Sequence, residues 1–228
     1  MVCARIQCCP CPRPCAAEEE LSPLMMHGES IRFRRGEELW QRGDQATHVY
    51  TLCTGTWKLT QPWEEGREVI LDLANRGQMV GEEAAIPGSS RLNGCVALSA
   101  GKAVRVSREV LALLLRDDPK LAQTMLVTSY QRARAISTRL EEMTVGSVRS
   151  RVARVLLRLS EEQGLDDARG RFVPVPLRRG DLADMVACRV ETVIRVMTDW
   201  QRREVIDTQR EGFVIRSLKD LKHDAIDG

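Results

Sequence analysis

Five of the chain's eight cysteines, Cys3, Cys8, Cys9, Cys11 and Cys15, fall inside the thirteen residues CARIQCCPCPRPC, among three prolines. A stretch so dense in sulfur makes no core of its own and points to ligation or redox exchange. Four thiolates hold an iron–sulfur cubane, and they suit tetrahedral zinc equally well with no histidine. A thiol–disulfide switch is a third chemistry open to such an arm, and an unliganded tail is a fourth. No apolar run approaches the roughly 20 residues that span a bilayer, and the N-terminus lacks the charged-then-apolar pattern of a signal peptide. The chain therefore reads as cytoplasmic with no membrane partner, where thiols stay reduced and structural disulfides are rare. That favours metal or redox chemistry over a disulfide knot.

A second stretch, LRRGDLADMVACRVETVIRVMTDWQRREVI at 177–206, has the residue types of a DNA reader. The pattern predicts a short helix over Asp181–Met185 and a second over about Val190–Gln201, joined by a tight turn holding Ala187 and Cys188. That is helix-turn-helix spacing, in which the second helix lies in the major groove. Glu191 and Arg195 stand four apart on one face near its N-terminus. A carboxylate there accepts from cytosine N4, and an arginine binds guanine O6 and N7 in bidentate fashion. Arg189 and Thr192 flank them, and Arg178 and Arg179 precede the first helix; all four suit base-edge or phosphate contact. Read alone, Glu191 and Arg195 are more simply an ordinary i,i+4 pair on a solvated helix. The tight turn, the helix before it, and a following hairpin in TQREGFVIRS with Gly212 near its turn favour DNA, the hairpin serving as a wing.

These residues need elements to position them, and the rest of the chain supplies candidates. From about Ser30 to Val106, glycines separate strand-length apolar runs such as HVYTLCTG and CVALSAGKAVRVS. That punctuation predicts an antiparallel sandwich or barrel. After it, REVLALLLRDD reads as a short helix closed by Asp118-Pro119. KLAQTMLVTSYQRARAISTRLEEMTVGS then runs without glycine or proline to Gly146, which predicts one long helix. Leu126, Ala133 and Leu140 make one row of a seven-residue repeat; Ala122, Ser129, Ile136 and Met143 make the other. A two-row seam of that kind is how two helices zip together, against the broader stripe of a helix packed on its own domain. Short helices follow from Ser147, with Pro174 and Pro176 in an extended connector. The organisation expected is α+β: an arm at 1–22, a sensory β-domain at 23–117, a dimerisation helix at 118–146 and a DNA-binding domain at 147–228. The formal charge of +2 is too mild to announce nucleic acid, so a basic surface must come from local placement. No phosphate-binding glycine loop, zinc-protease helix or nucleophile–histidine spacing is present, which argues against an enzyme. His27, His48 and His223 are isolated, which argues against heme.

The segments GDQATHVYTLCTGTWKLT, GQMVGEEAAIPGSSR and DLADMVACRVETVIRVMTDWQ, with the long helix before Gly146, resemble the Crp/Fnr family of bacterial transcription regulators across about residues 29–220. The resemblance implies an N-terminal β-roll (a jelly roll like that of cyclic-nucleotide-binding domains), a dimerising helix and a winged helix-turn-helix. It also implies a homodimer on two-fold-symmetric double-stranded DNA, with RNA polymerase as partner. In cyclic-nucleotide-binding members a Gly-Glu and an Arg-Ser/Thr-Ala hold the ribose and cyclic phosphate. Gly81-Glu82 and Arg91 match that pattern, but Leu92-Asn93 replaces its hydroxyl-bearing part. Ile136-Ser137 stands where the cAMP receptor protein presents Thr-Ser to the adenine. Two departures argue against cAMP, leaving Glu82, Arg91 and Ser137 as a weak effector pocket.

VETVIRV resembles the recognition helix of Fnr-type oxygen regulators, departing at Ile194 where serine or glycine is expected. Those regulators carry a 4Fe–4S cluster on N-terminal cysteines plus one in the roll. The resemblance implies a cluster here on Cys3, Cys8, Cys11 and Cys15, with Cys9 as a substitute and Cys95 as a weak candidate from the roll. The roll ligand's own register falls near Val104. Zinc, a thiol switch or no ligand remain the alternatives for the arm. Cys53 and Cys188 read as small buried hydrophobes.

Overall fold

A computed structural model of the protein describes residues 22–63 and 67–226. The chain divides into two compact units, one built from the chain through Gln61 with Asp72–Ala135, the other from Pro62–Leu71 with the chain from Ile136 onward.

The first unit begins with α1 (Ser22–His27) and strands β1 (Glu29–Phe33), β2 (Glu38–Trp40), β3 (His48–Thr54), β4 (Trp57–Pro62), β5 (Glu68–Ala74) and β6 (Met79–Val80). A single 3-10 turn, Glu82–Ala85, leads to β7 (Gly94–Ala97) and β8 (Gly101–Ser107). The strands pair into two four-stranded sheets, ordered β1-β8-β3-β6 and β2-β7-β4-β5, with antiparallel registers. Alternate residues of β3 face opposite sides. Tyr50 and Leu52 enter the interior with Phe33, Trp40, Trp57, Leu59 and Cys95. Val49 faces the other way, to Leu24 of α1, Met79, Val106 and Leu111. Both faces of that sheet are therefore covered, which is why β3 is buried without alternation from Val49 to Cys53. The interior rings pack edge-on or offset, with Phe33–Trp57 at 5.0 Å and Trp40–Tyr50 at 5.2 Å between centroids, the separations aromatic quadrupoles favour.

Helix α2 (Arg108–Asp117) starts where the Ser107 hydroxyl accepts from the Val110 N–H. The next helix, α3 (Pro119–Thr144), starts on a proline, a residue pre-set for a first turn; the Asp118 carboxylate accepts from the N–H groups of Lys120 and Leu121. Along α3, Leu121 and Met125 are buried against the roll, whereas Leu126 is 70% exposed and Leu140 57% exposed. Ala133 is exposed, and Ser129 and Ile136 are half-buried. Met143 departs from the expected seam, since it is buried within the chain. Tyr130, outside the expected rows, is 68% exposed; with Leu126, Ala133 and Leu140 it follows the 4-3 spacing of a helix seam.

The second unit opens with α4 (Val148–Gln163), capped by the Ser147 hydroxyl accepting from the Ser150 N–H. There follow β9 (Leu165–Asp167), β10 (Gly170–Val173), α5 (Arg179–Met185), α6 (Val190–Arg202), β11 (Ile206–Gln209), β12 (Gly212–Ile215) and α7 (Leu218–Ile226). The α4 helix packs against α6 and α7, and α5 against α6. The strands form one sheet ordered β11-β12-β10-β9. The hairpin expected around Gly212 is thus half of a four-stranded sheet, and Arg171–Val173, expected as part of a connector, pairs with β12. A Cβ on Gly212 would stand 2.0 Å from the Val173 carbonyl oxygen; only glycine permits so close an approach of the two strands.

Candidate DNA interface

The helix-turn-helix is built by local hydrogen bonding. The Asp181 carboxylate accepts from the Arg178 N–H at 2.8 Å, closing the first turn of α5, as an acidic residue at that position does for the free N–H groups of a helix start. The tight turn is closed by the Cys188 N–H donating to the Ala183 carbonyl at 3.0 Å. Ala187 takes a left-handed conformation there, at φ 48°, which costs a non-glycine residue on the order of 1 kcal/mol. Arg67, just before β5, donates to the Cys188 carbonyl at 2.6 Å and Arg151 of α4 to that of Val186 at 3.0 Å, so two guanidinium groups grip the turn's backbone.

In α6 the apolar and polar residues segregate sharply. Val193, Val196, Met197 and Trp200 are buried, while Arg189, Glu191, Arg195 and Thr198 are exposed and Thr192 is half-buried. Glu191 and Arg195 form no ion pair with each other among the described residues. Both heads are left to face outward, which removes the plain i,i+4 account of their spacing. Arg178 is exposed beside them in the chain. Arg179 is half-buried and donates to the Thr208 hydroxyl of β11 at 2.8 Å; burial lowers its pKa. It ties α5 to the wing, a positioning role. The tip between β11 and β12 presents Arg210 to solvent, a cation that sequence reasoning passed over.

A charged network fixes the inner side of α6. Asp199 accepts from Arg149 and Arg202, each at 2.8 Å. Asp224 of α7 accepts from the Trp200 indole at 2.6 Å, Arg149 at 3.1 Å and Arg203 at 3.3 Å. The hydrogen bond from Arg149 holds the Asp199 carboxyl below the usual range. Burial opposes ionisation of Asp224, but the bonds from Trp200 and Arg149 outweigh it and lower that carboxyl too. Nothing in the local sequence pattern joins Asp224 to this site; its partners lie 75, 24 and 21 residues away.

Glu82 and Arg91, two of the residues expected as a weak effector pocket, lie in a second cluster, in the first unit. Gly81 is left-handed at φ 81°, and a Cβ on it would come within 2.5 Å of the Arg91 guanidinium. Arg91 is buried, stacked 4.3 Å over the Trp40 ring, donating to the carbonyls of His48 at 2.6 Å and Gly81 at 3.3 Å, with Glu83 at 3.7 Å. Its Nε is buried without a hydrogen-bond partner among the described residues. Glu82 pairs instead with Arg132 of α3 at 3.2 Å. Arg132 also donates to the Met79 carbonyl at 2.6 Å and lies 3.4 Å from Asp72. Burial pushes the Glu82 carboxyl up, against the pull of Arg132. The structure thus brings Arg132 to Glu82, a partner sequence reasoning missed. Ser137 is exposed on α3 and Leu92 points to solvent.

The metal reading meets different ground. Cys3, Cys8, Cys9, Cys11 and Cys15 lie outside the described residues. Cys95 is buried in the aromatic interior, and burial pushes its thiol far up. That environment suits a small apolar side chain rather than a thiolate ligand, the role expected of Cys53, which is also buried. Among the described residues no group of three or more His, Cys, Asp and Glu side chains is placed to hold a metal ion.

Comparison with known proteins agrees with both units. Residues 30–118 match the cyclic nucleotide-binding domain model and 150–223 the Crp-like helix-turn-helix domain model. A CRP-like cAMP-activated global transcriptional regulator of Mycobacterium tuberculosis is 23% identical over 88% of this chain and 90% of its own length. The fumarate and nitrate reduction regulatory protein of Vibrio cholerae is 24% identical over 83% of this chain and 75% of its own. The structure of FixK2 from Bradyrhizobium japonicum shares the fold at a TM-score of 0.75 and 20% identity, covering 86% of this chain and 96% of that one. With a cyclic-nucleotide-binding-type roll, a long helix and an outward-facing Crp-like recognition helix in one chain, the protein belongs to the Crp/Fnr family of DNA-binding transcription regulators.

Proposed function

We propose that the protein is a homodimeric, sequence-specific regulator of Fnr type, whose N-terminal cysteines report redox state or oxygen to the DNA-reading helices and whose target is RNA polymerase recruitment or exclusion at a two-fold-symmetric site. The observation that carries the DNA-reading part is the recognition helix. Glu191 and Arg195 are solvent-facing and unpaired with each other, on a helix held from behind by Asp199, Trp200 and Asp224. Glu191 accepts from a cytosine amino group, Arg195 donates to the guanine of the same or the adjoining pair, and Arg178, Arg189 and Arg210 take phosphates. The exposed Leu126, Tyr130, Ala133 and Leu140 supply a seam for the second copy, and two copies place two recognition helices about one DNA turn apart.

For the sensing part, the donor set favours the arm alone. Cys95 is buried in the aromatic interior, where burial pushes its thiol up, which favours four thiolates from the arm: Cys3, Cys8, Cys11 and Cys15, with Cys9 as a substitute. A 4Fe–4S cubane held there supplies reversible, oxygen-sensitive redox chemistry. Anaerobic purification with iron, sulfide and zinc analysis tests this. Brown protein containing iron and sulfide, bleached by air, is the expected result; colourless protein with stoichiometric zinc, or with no metal, overturns it. Selection from random-sequence DNA tests the reader: the wild type enriches a palindrome, and Arg195→Ala loses about 1–3 kcal/mol on it and little on random DNA.

A second reading rests on one observation, the buried Nε of Arg91, which has no hydrogen-bond partner among the described residues and whose guanidinium lies 3.7 Å from Glu83. It is a roll gated by a small anionic effector, with the cysteine arm passive. Its ligand must compete for Arg91 with the His48 and Gly81 carbonyls. Calorimetry with cyclic nucleotides separates the two: heat that vanishes in Arg91→Ala favours the second reading over the first.

A further inference from the structure

The connector between α3 and α4 turns at Gly146, whose backbone is left-handed at φ 86°. The last carbonyls of a helix have no partners within it, and a cation is the group that suits them. Helix α4 supplies two. Arg151 donates through Nη1 to the carbonyl of Met143, in the last turn of α3, and through the same nitrogen to Val186 at 3.0 Å. Val186 is the C-cap of α5, so one guanidinium nitrogen joins the end of the long helix to the end of the first reader helix. Arg154, one turn further on, donates to the Val145 carbonyl in the connector and to Ala225 of α7 at 3.4 Å. All of these residues lie in the second compact unit, together with α3 from Ile136 onward and so with Leu140 of the exposed seam. The Arg151 Nε is buried with no hydrogen-bond partner among the described residues. A buried donor left unmet costs stability, so the residue is better explained by the geometry it holds than by the stability it adds.

On two-fold-symmetric DNA that geometry has a meaning. Two copies joined along α3 present two recognition helices, and the angle from seam to reader sets the distance between the half-sites they reach. One base pair more or less moves a half-site by about 3.4 Å and turns it by roughly 35°. We infer that Arg151 is a positioning residue that fixes half-site spacing: it locks the reader to the end of α3, so that the dimer accepts one separation and rejects its neighbours. The inference rests on the DNA-reading and dimer parts of the function proposed above.

The test uses the full-length protein and the palindrome that wild type enriches, with versions one base pair shorter and longer at the centre, measured by gel shift. Wild type should lose about tenfold to a hundredfold on either altered spacer, roughly the cost of one mismatched base pair. Arg151→Ala should bind the original site more weakly, and its affinity should vary less than about threefold across the three spacers, because a freed reader adjusts to each. Arg151→Gln keeps the side-chain stem without the reach to both carbonyls and should give the same flat profile. Arg210→Ala, which removes a wing cation, should weaken all three sites alike and keep the wild-type profile. An Arg151 variant that discriminates spacers as sharply as wild type overturns the inference, and so does a wild type indifferent to spacing. Loss of the folded second unit in both variants, read by circular dichroism, overturns it too, since the bridge is then a folding element alone. A wild type that enriches no palindrome overturns the DNA reading itself, and this inference with it.

Discussion

Asp224 shows how a residue remote from the DNA-facing side governs it. It is the common acceptor for Trp200, Arg149 and Arg203, and Trp200 is the buried anchor of the recognition helix. With Asp199 it has a carboxyl held below its ordinary range by donors that exist only in the folded state. A carboxyl lowered by folding contributes stability above the ordinary aspartate range, and that contribution is lost as pH falls through the lowered value. Urea unfolding followed by circular dichroism should therefore show stability declining below about pH 4. Asp224→Ala leaves the Trp200 indole N–H buried without its acceptor and should cost about 1–3 kcal/mol at pH 7. The gap from wild type should narrow toward pH 3; a gap that stays constant with pH would show that the charge of Asp224 plays no part. That Glu191 and Arg195 share one exposed helix side was legible in the sequence because i,i+4 spacing is local. The Asp224 network was not, because its partners meet only through the packing of α4, α6 and α7.

At the scale of elements, α3 is the clearest case. Its heptad pattern was readable residue by residue, and Leu126, Ala133 and Leu140 are the exposed positions it named. Met143 fails the pattern because it packs within its own chain, and Tyr130 joins because the exposed row runs through it. Leu126→Glu with Leu140→Glu should convert a dimer to a monomer by analytical ultracentrifugation at micromolar protein, with circular dichroism unchanged since both side chains are already exposed. A dimer that survives both carboxylates rules this seam out. Ser129→Leu should strengthen association, adding apolar area at a half-buried position; unchanged association would place Ser129 outside the contact. The pairing of β10 with β12 was not legible, since it reaches across the whole helix-turn-helix, although β9 and β10 also pair locally with each other. No window of local sequence reports a pairing of that separation. The roll was legible as a class, because glycine turns punctuate it, but the sidedness of β3 depends on α1 and α2 covering its outer face.

Taken whole, the molecule combines a sequestered roll interior with an outward-facing reader. Arg91 and Arg132 are turned inward onto rings, carbonyls and carboxylates, whereas Arg178, Arg189, Arg195 and Arg210 of the second unit are exposed. Family resemblance made the order of these parts readable; it did not reveal that Glu82 takes Arg132 as its partner, because that pairing depends on where α3 passes the roll. The outward set has a thermodynamic consequence. Arg178, Arg189, Arg195 and Arg210 are all exposed around the recognition helix and wing, although the whole chain carries a formal charge of only +2. A duplex releases condensed counterions for each phosphate such groups neutralise. If Arg178, Arg189 and Arg210 each do so, the logarithm of the binding constant should fall with the logarithm of salt at a slope of about −3 per protomer, or about −5 for a dimer. Titrations between low and near-physiological salt should return that steep line, and Arg210→Ala should flatten it by about one per protomer. A flat line would show that the arginines do not reach the backbone. A nearly neutral protein would then let go of its DNA site as the ion concentration rises, through local charge placement alone.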